Sequence, residues 1–266
     1  MQAKETMPPL TGGALVLLTL SLSMATFMQV LDTTIANVAI PTIAGNLGAS
    51  SSQGTWVITS FGVANAISVP LTGWLAKRFG EVKLFLWSCA LFVIASWLCG
   101  MAPSLGALIL FRVLQGAVAG PMIPLSQSLL LANYPPHKRS VALALWSMTV
   151  IVAPIFGPIL GGWISDNYHW SWIFLINVPI GALVLLLTPR LLKGRETRIE
   201  HKPIDLLGLS LLVVGVGALQ MMLDRGKELD WFASDEVRIL AVLAVVGIVW
   251  LIWHELKHAH PIVELK

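Results

Sequence analysis

Charge is scarce in this sequence: Asp, Glu, Lys and Arg make up 12% of its 266 residues. A soluble globular domain carries about 25%. Half that charge cannot coat a water-facing surface, which excludes a soluble domain and leaves most of the surface to face lipid. Cysteine is nearly missing. Cys89 and Cys99 fall in one apolar segment, and ten helical residues separate them by about 15 Å, too far for a disulfide. They read as packing residues and identify no compartment. No serine–histidine–aspartate set, phosphate-binding glycine loop or paired carboxylates occur, so the chain reads as no enzyme. Its energy source would be an ion gradient and not ATP. The net charge of +3 is too small to mark a nucleic-acid partner, and no cofactor or metal is expected.

Long apolar runs are what the sequence does have. A membrane helix needs about 20 mostly apolar residues. The runs 14–37, 54–75, 84–102, 104–131, 141–164, 172–189, 204–223 and 236–255 qualify. They are too long for buried strands. The fold class is therefore an all-α polytopic membrane protein with about eight transmembrane helices. The segment before the first run is short, and the run is too long for a signal-peptide core, so an uncleaved first helix is expected.

Lys and Arg give an orientation. With the N-terminus inside, inner segments hold Lys4, Lys77, Arg78, Lys83, Lys138, Arg139, Arg190, Lys193, Arg195, Arg198, Lys202, Lys257 and Lys266, which is 13 of 17. Outer segments hold only Arg225, Lys227 and Arg238, all in the last one. Both termini are expected in the cytoplasm. The basic connection 190–203 divides six helices (1–189) from two (204–266). The first six allow two groups of three in opposite orientation, as in many secondary transporters.

Two charges fall well inside predicted spans, Asp32 and Arg112. A charge at mid-membrane costs at least about 2.5–3.5 kcal/mol on insertion scales and is a functional hypothesis by default. Counted from the outer boundary they lie roughly 8 and 12 Å deep, close enough to interact. A carboxylate that gains or loses a guanidinium neighbour changes its proton affinity, which is the minimum device for proton coupling. A structural ion pair is the alternative reading. Gln29, Asn37, Asn65, Gln115 and Gln127 are polar residues in or near the spans that would line a substrate cavity or simply join helices.

In APIFGPILGGW, 153–163, the small residues Ala153, Gly157 and Gly161 form a stripe suited to close helix approach. Pro154 and Pro158 each remove a backbone donor, and Gly162 follows, so this segment reads as a hinge or seal. Arg112, Gly116 and Gly120 likewise share a face in FRVLQGAVAGP, 111–121. The segment GWLAKRFGEVK, 73–83, joins Gly73 and Gly80 to the cations Lys77 and Arg78. His254, His258 and His260 cluster after the last span and read as a solvated cytoplasmic end.

These segments together resemble the major facilitator superfamily, specifically its drug:proton antiporters of about fourteen helices. LDTTIANVAIP, 31–41, looks like that subfamily's helix-1 motif. Residues 73–83 resemble the signature loop between helices 2 and 3, with Lys77 in place of the usual aspartate. FRVLQG resembles the helix-4 motif, and GPILGG the antiporter motif of helix 5. WSWIFLINVPIG, 170–181, resembles the helix-6 motif, with Ser171 where arginine is usual. The resemblance implies a six-helix N-terminal bundle plus two further helices. It implies export of hydrophobic drugs against protons across the cytoplasmic (inner) membrane, with Asp32 and Arg112 in proton coupling and Gly73, Lys77, Arg78 and Gly80 in a gating loop. Implied partners are a periplasmic membrane-fusion adaptor and an outer-membrane channel. Such transporters have a second six-helix half, so this chain is expected to be a fragment or truncated product that needs that half or self-association. A non-transporting membrane subunit is the alternative.

Overall fold

The structure is a computed structural model and describes residues 8–200, 203–258 and 261–263. Lys4, Lys202, His260 and Lys266 lie outside the described residues. Among those described, eight helices are long and apolar enough to cross a membrane. They are α1 (Gly12–Asn46), α2 (Ser51–Phe79), α3 (Glu81–Gly100), α4 (Leu105–Asn133), α5 (Pro136–Asn167), α6 (Trp172–Leu191), α7 (Leu206–Arg225) and α8 (Asp235–Lys257).

Each expected run appears, and most helices overshoot it. The largest difference is at α1, which continues through Pro41 to Asn46. Asn37, Pro41 and Thr42 suggest a turn in the sequence. A proline inside a helix forfeits one backbone hydrogen bond, and here burial of Ala39, Ile43 and Ala44 outweighs that loss. Asp32 consequently sits in mid-helix and not near an end.

Helix starts follow local chemistry. Ser50 makes a capping box with Gln53, and the Ser104 hydroxyl accepts the Ala107 N–H at the start of α4. Prolines set the irregularities. Pro121 has no N–H to offer the Ala117 carbonyl, α4 loosens at Gly120–Pro121, and the Ser68 hydroxyl of α2 donates to that carbonyl instead, at 2.5 Å. Pro179 likewise leaves the Leu175 carbonyl without its helical donor, and α6 breaks at Ile176, just before Asn177.

Helix α1 lies at the centre. It packs along α5, α6 and the second part of α4, while α2 packs on α4, and α3 on α4 and α6. Exchanging α1, α2 and α3 with α4, α5 and α6 turns the α1–α5 contact into α4–α2, and α1–α6 into α4–α3. Packing within the first six helices therefore has the two-fold pattern of paired three-helix units. Helices α7 and α8 pair with each other, and α7 leans on α2.

The core divides along the membrane normal. One cluster joins Leu18, Leu22, Met28, Phe85, Phe92 and Leu129. A second joins Ile35, Ile43, Val57, Leu108, Ile173 and Phe174. The charged site lies between them. Outward faces carry large apolar side chains such as Trp87, Ile151 and Val245, as lipid contact requires.

Candidate functional site

Asp32 and Arg112 are in direct contact at the core of the bundle. Asp32 Oδ2 accepts from Arg112 Nη1 at 2.5 Å, and both side chains have no exposed surface. A buried ion pair stands only when its remaining lone pairs and protons are met. Asp32 Oδ1 accepts from Asn177 Nδ2 at 2.7 Å and from Gln115 Nε2 at 3.1 Å. Arg112 Nε donates to the Val57 carbonyl at 3.0 Å, and Nη1 also donates to Gln115 Oε1 at 2.6 Å. Ser96 Oγ accepts from both Gln115 and Asn177, at 2.7 and 3.1 Å. The Cys99 thiol points at Gln115 Oε1, 3.7 Å away. The guanidinium lies over the Phe61 ring, 4.2 Å from its centroid, and near Phe174 at 5.5 Å, a favourable placement for a cation.

Five helices contribute: α1 gives Asp32, α2 the Val57 carbonyl and Phe61, α3 Ser96, α4 Arg112 and Gln115, and α6 Asn177. Arg112 Nη2 and Asn177 Oδ1 are buried and have no hydrogen-bond partner among the described residues. The network is thus nearly, but not completely, satisfied.

Close packing surrounds the pair. A Cβ on Gly116 would collide with the Phe61 carbonyl, one turn from Arg112. On α5 the face Ala153–Gly157–Gly161 is buried. A Cβ on Gly157 would strike Thr34, and one on Gly161 would come within 3.1 Å of the Ile35 carbonyl. The small-residue stripe therefore lies against the turn of α1 that follows Asp32. Pro154 and Pro158 point away from that contact and are exposed, and Gly162 has nothing within 4 Å of where its Cβ would be.

The other sequence-predicted polar residues do not converge. Gln115 belongs to the ion-pair network. Gln29 is buried on α1 and Asn65 half-buried on α2, and Gln29 Oε1 and Asn65 Oδ1 lack hydrogen-bond partners. Gln127 is half-buried on α4. Asn37 is exposed and lines a surface cleft with Ile40, Pro41, Thr55 and Glu228. Asn177 and Ser96 complete the network and escaped sequence reasoning. Both sit in apolar runs, and the only signal was Asn177 within the helix-6 motif.

The 73–83 segment is covered by Glu196, Thr197 and Glu200. Gly80 holds φ 89° at the α2–α3 turn, a conformation that favours glycine. The Glu196 carboxylate accepts the Val82 and Lys83 N–H groups, each at 2.9 Å, and Thr197 Oγ1 accepts Glu81 N–H at 2.9 Å. An anion at a helix N-terminus is favourable. The Lys77 carbonyl accepts Glu200 N–H at 2.7 Å. Gly73, Lys77 and Arg78 line a pocket with Glu200, Pro261 and Ile262.

His254, in the last turn of α8, departs from the expected solvated end. His254 is only 13% exposed and its Nε2 lies 2.6 Å from Asp205 Oδ2, so the end of α8 docks on the start of α7 rather than trailing in solvent. Burial pushes the Asp205 carboxyl up, but the Gly208 N–H, the His254 hydrogen bond and the nearby His254 and His258 charges outweigh it and hold it below the usual range.

Among solved structures the chain resembles a peptide transporter POT crystallised with sulfate, with a TM-score of 0.65 at 18% identity over 94% of this chain and 54% of that one. It also resembles a bacterial homologue of the lysosomal transporter Spinster, at 0.55 and 20%, covering 90% and 61%. At such identity the likeness shows the fold: the chain has the helical architecture of membrane transporters. The model of the Major Facilitator Superfamily matches residues 22–256, and the chain belongs to that family. It is 71% identical to the multidrug export protein EmrB of Haemophilus influenzae over 97% of its length. It is 73% identical to EmrB of Escherichia coli over 97%, and 66% to the fatty acid resistance protein FarB of Neisseria gonorrhoeae over 97%. The chain covers 51%, 50% and 51% of those three proteins, about half the length of the relatives it matches.

Proposed function

We propose that this chain is the N-terminal half of a proton-coupled exporter of hydrophobic, chemically varied compounds in the cytoplasmic (inner) membrane, with both termini in the cytoplasm. The observation that carries the reading is the fully buried Asp32–Arg112 pair at the meeting of five helices. Protonating Asp32 removes the charge that Arg112 faces and weakens the hydrogen bonds from Gln115 and Asn177, which then go to a neutral acceptor. The bundle is then free to exchange one packing for another. The sequence of events is proton uptake at Asp32 from outside, rearrangement, and proton release inside as substrate leaves. The α1–α5 contact at Gly157 and Gly161 is where such a rearrangement slides.

Gln29, Asn65 and Gln127 serve substrate contact in this reading, with Asn37 at the mouth of an outer cleft. The Gly73–Gly80 loop gates the inner side. Glu196 supplies the carboxylate that Lys77 displaces from the signature loop. The relatives named for multidrug export support a drug-like substrate class. A periplasmic adaptor, an outer-membrane channel and a second six-helix half complete the proposed machine.

The test is dye accumulation in exporter-deficient cells that express this chain together with the second half of a relative. Loss of a hydrophobic fluorescent dye should depend on the proton gradient. Asp32→Asn should abolish it while leaving the chain in the membrane. Undiminished export by that variant would overturn the role of Asp32. No export by any pairing, with both halves inserted, would favour a non-transporting membrane subunit.

A further inference from the structure

The open ends of the α7–α8 hairpin bring together a set of metal-ligating groups unrelated to the Asp32 site. Helix α8 ends in His254-Glu255-Leu256-Lys257, and His258 caps it with extended backbone while its N–H still donates to the His254 carbonyl at 2.8 Å. Residues four apart share one helix face, and His-Glu-x-x-His on a helix is a spacing that places two imidazoles on one zinc ion. The third group comes from the other helix. Asp205 precedes α7 and accepts the Gly208 N–H through Oδ1 at 3.0 Å, which leaves Oδ2 facing the histidines.

The geometry is close to a coordination site. One ligand atom each from Asp205, His254 and His258 lies within 4.8 Å of the others. Asp205 Oδ2 is 2.6 Å from His254 Nε2 and 3.6 Å from His258 Nδ1, and the two rings stack with centroids 4.9 Å apart. Tetrahedral zinc with bonds of about 2.0–2.1 Å sets neighbouring ligand atoms about 3.3 Å apart. The two carboxylate–imidazole separations lie on either side of that spacing, and the two imidazole nitrogens, within 4.8 Å of each other, would close by up to about 1.5 Å to meet it.

Glu255 is an independent sign. It is 3% exposed, and its Oε1 has no hydrogen-bond partner among the described residues. A Cβ on Gly208 would lie 2.7 Å from Asp205 Oδ2 and 2.8 Å from Glu255 Oε1, so the two carboxylates converge over that glycine. Adjacent buried carboxylates repel each other, and an unpartnered buried oxygen is costly. A divalent cation relieves both penalties.

We propose that Asp205, His254 and His258, with Glu255 beside them, bind one divalent transition-metal ion of the zinc class, which staples the start of α7 to the end of α8. Two imidazoles with carboxylate suit zinc, cobalt, nickel or copper, whereas magnesium and calcium take all-oxygen shells. The role is structural. Glu255 Oε2 accepts the Val263 N–H at 3.4 Å and is engaged with the chain rather than poised as a base over a substrate.

The experiment uses the full chain without a polyhistidine tag, in lipid nanodiscs and stripped with a chelator. Titration with Co2+ should give visible d–d absorption that saturates at one ion per chain. Zn2+ should displace it and Mg2+ should not. His258→Ala should weaken Co2+ binding at least tenfold, His254→Ala likewise, and His137→Ala with His169→Ala not at all. His258 is exposed, so its removal costs the stacking on His254 but no buried core contact, with helicity by circular dichroism as the check. Absence of saturable absorption, or an unchanged isotherm in His258→Ala, overturns the proposal.

Discussion

The six-helix bundle and the α7–α8 hairpin handle charge in opposite ways. The hairpin is apolar along its middle, where Gly215 and Gly247 bring the two backbones together. Its charges sit at the ends: Asp205 with His254 at one, Arg225 with Glu236 and Arg238 with Asp235 at the other. The bundle has the same close glycine contacts, at Gly116 and Gly157, yet carries Asp32 and Arg112 at its core. Helices of this chain therefore pack in a membrane without an interior ion pair. Replacing a buried ion pair by well-packed neutral residues of similar volume is often neutral or stabilising.

The largest break in this comparison is Arg112→Ala. It leaves Asp32 buried without its counter-charge and should destabilise the bundle by about 3–5 kcal/mol, read from denaturant unfolding in detergent. A loss under about 1 kcal/mol would mean that water reaches the pair. Next comes glycine packing, which the two regions share. Gly157→Leu and Gly215→Leu should each cost about 1–3 kcal/mol through overpacking. Gly162→Leu, which meets nothing within 4 Å, should stay within about 0.5 kcal/mol. The double variant Asp32→Asn with Arg112→Gln removes both charges but also the Arg112 Nε donor to the Val57 carbonyl. It should cost about 1–3 kcal/mol, less than Arg112→Ala, while abolishing gradient-driven export. That outcome separates holding the fold from coupling protons. Glu196→Gln should cost about 0.3–1 kcal/mol from the lost anion at the start of α3, shrinking with added salt.

Hydropathy made the eight spans legible, because twenty apolar residues admit few other fates. Asp32 and Arg112 were legible for the converse reason: a charge in such a run stands out. The ends of α1 were not, since Pro41 and Asn37 look like a turn until Ile43 and Ala44 find partners. Ser96 and Asn177 were hidden because a neutral polar side chain barely dents an apolar run. Their importance arises only when α3 and α6 are laid beside α1. The Asp205–His254 contact joins residues 49 apart, and the four-residue histidine spacing alone does not say that a carboxylate waits on the neighbouring helix.

The distance along the chain between Asp32 and Arg112 bears on how the protein is made. The partners are 80 residues apart, and at about 5–20 residues per second the ribosome supplies the second roughly 4–16 s after the first. Through that interval α1 is in or at the membrane with a carboxyl group and no arginine to meet it. The surrounding apolar residues of α1 must carry its insertion against a central aspartate, worth about 2.5–3.5 kcal/mol. Arrival of α4 then meets the charge before α5 and α6 have been made, so the Asp32–Arg112 pair is available to form ahead of the Asn177 hydrogen bond that completes its network.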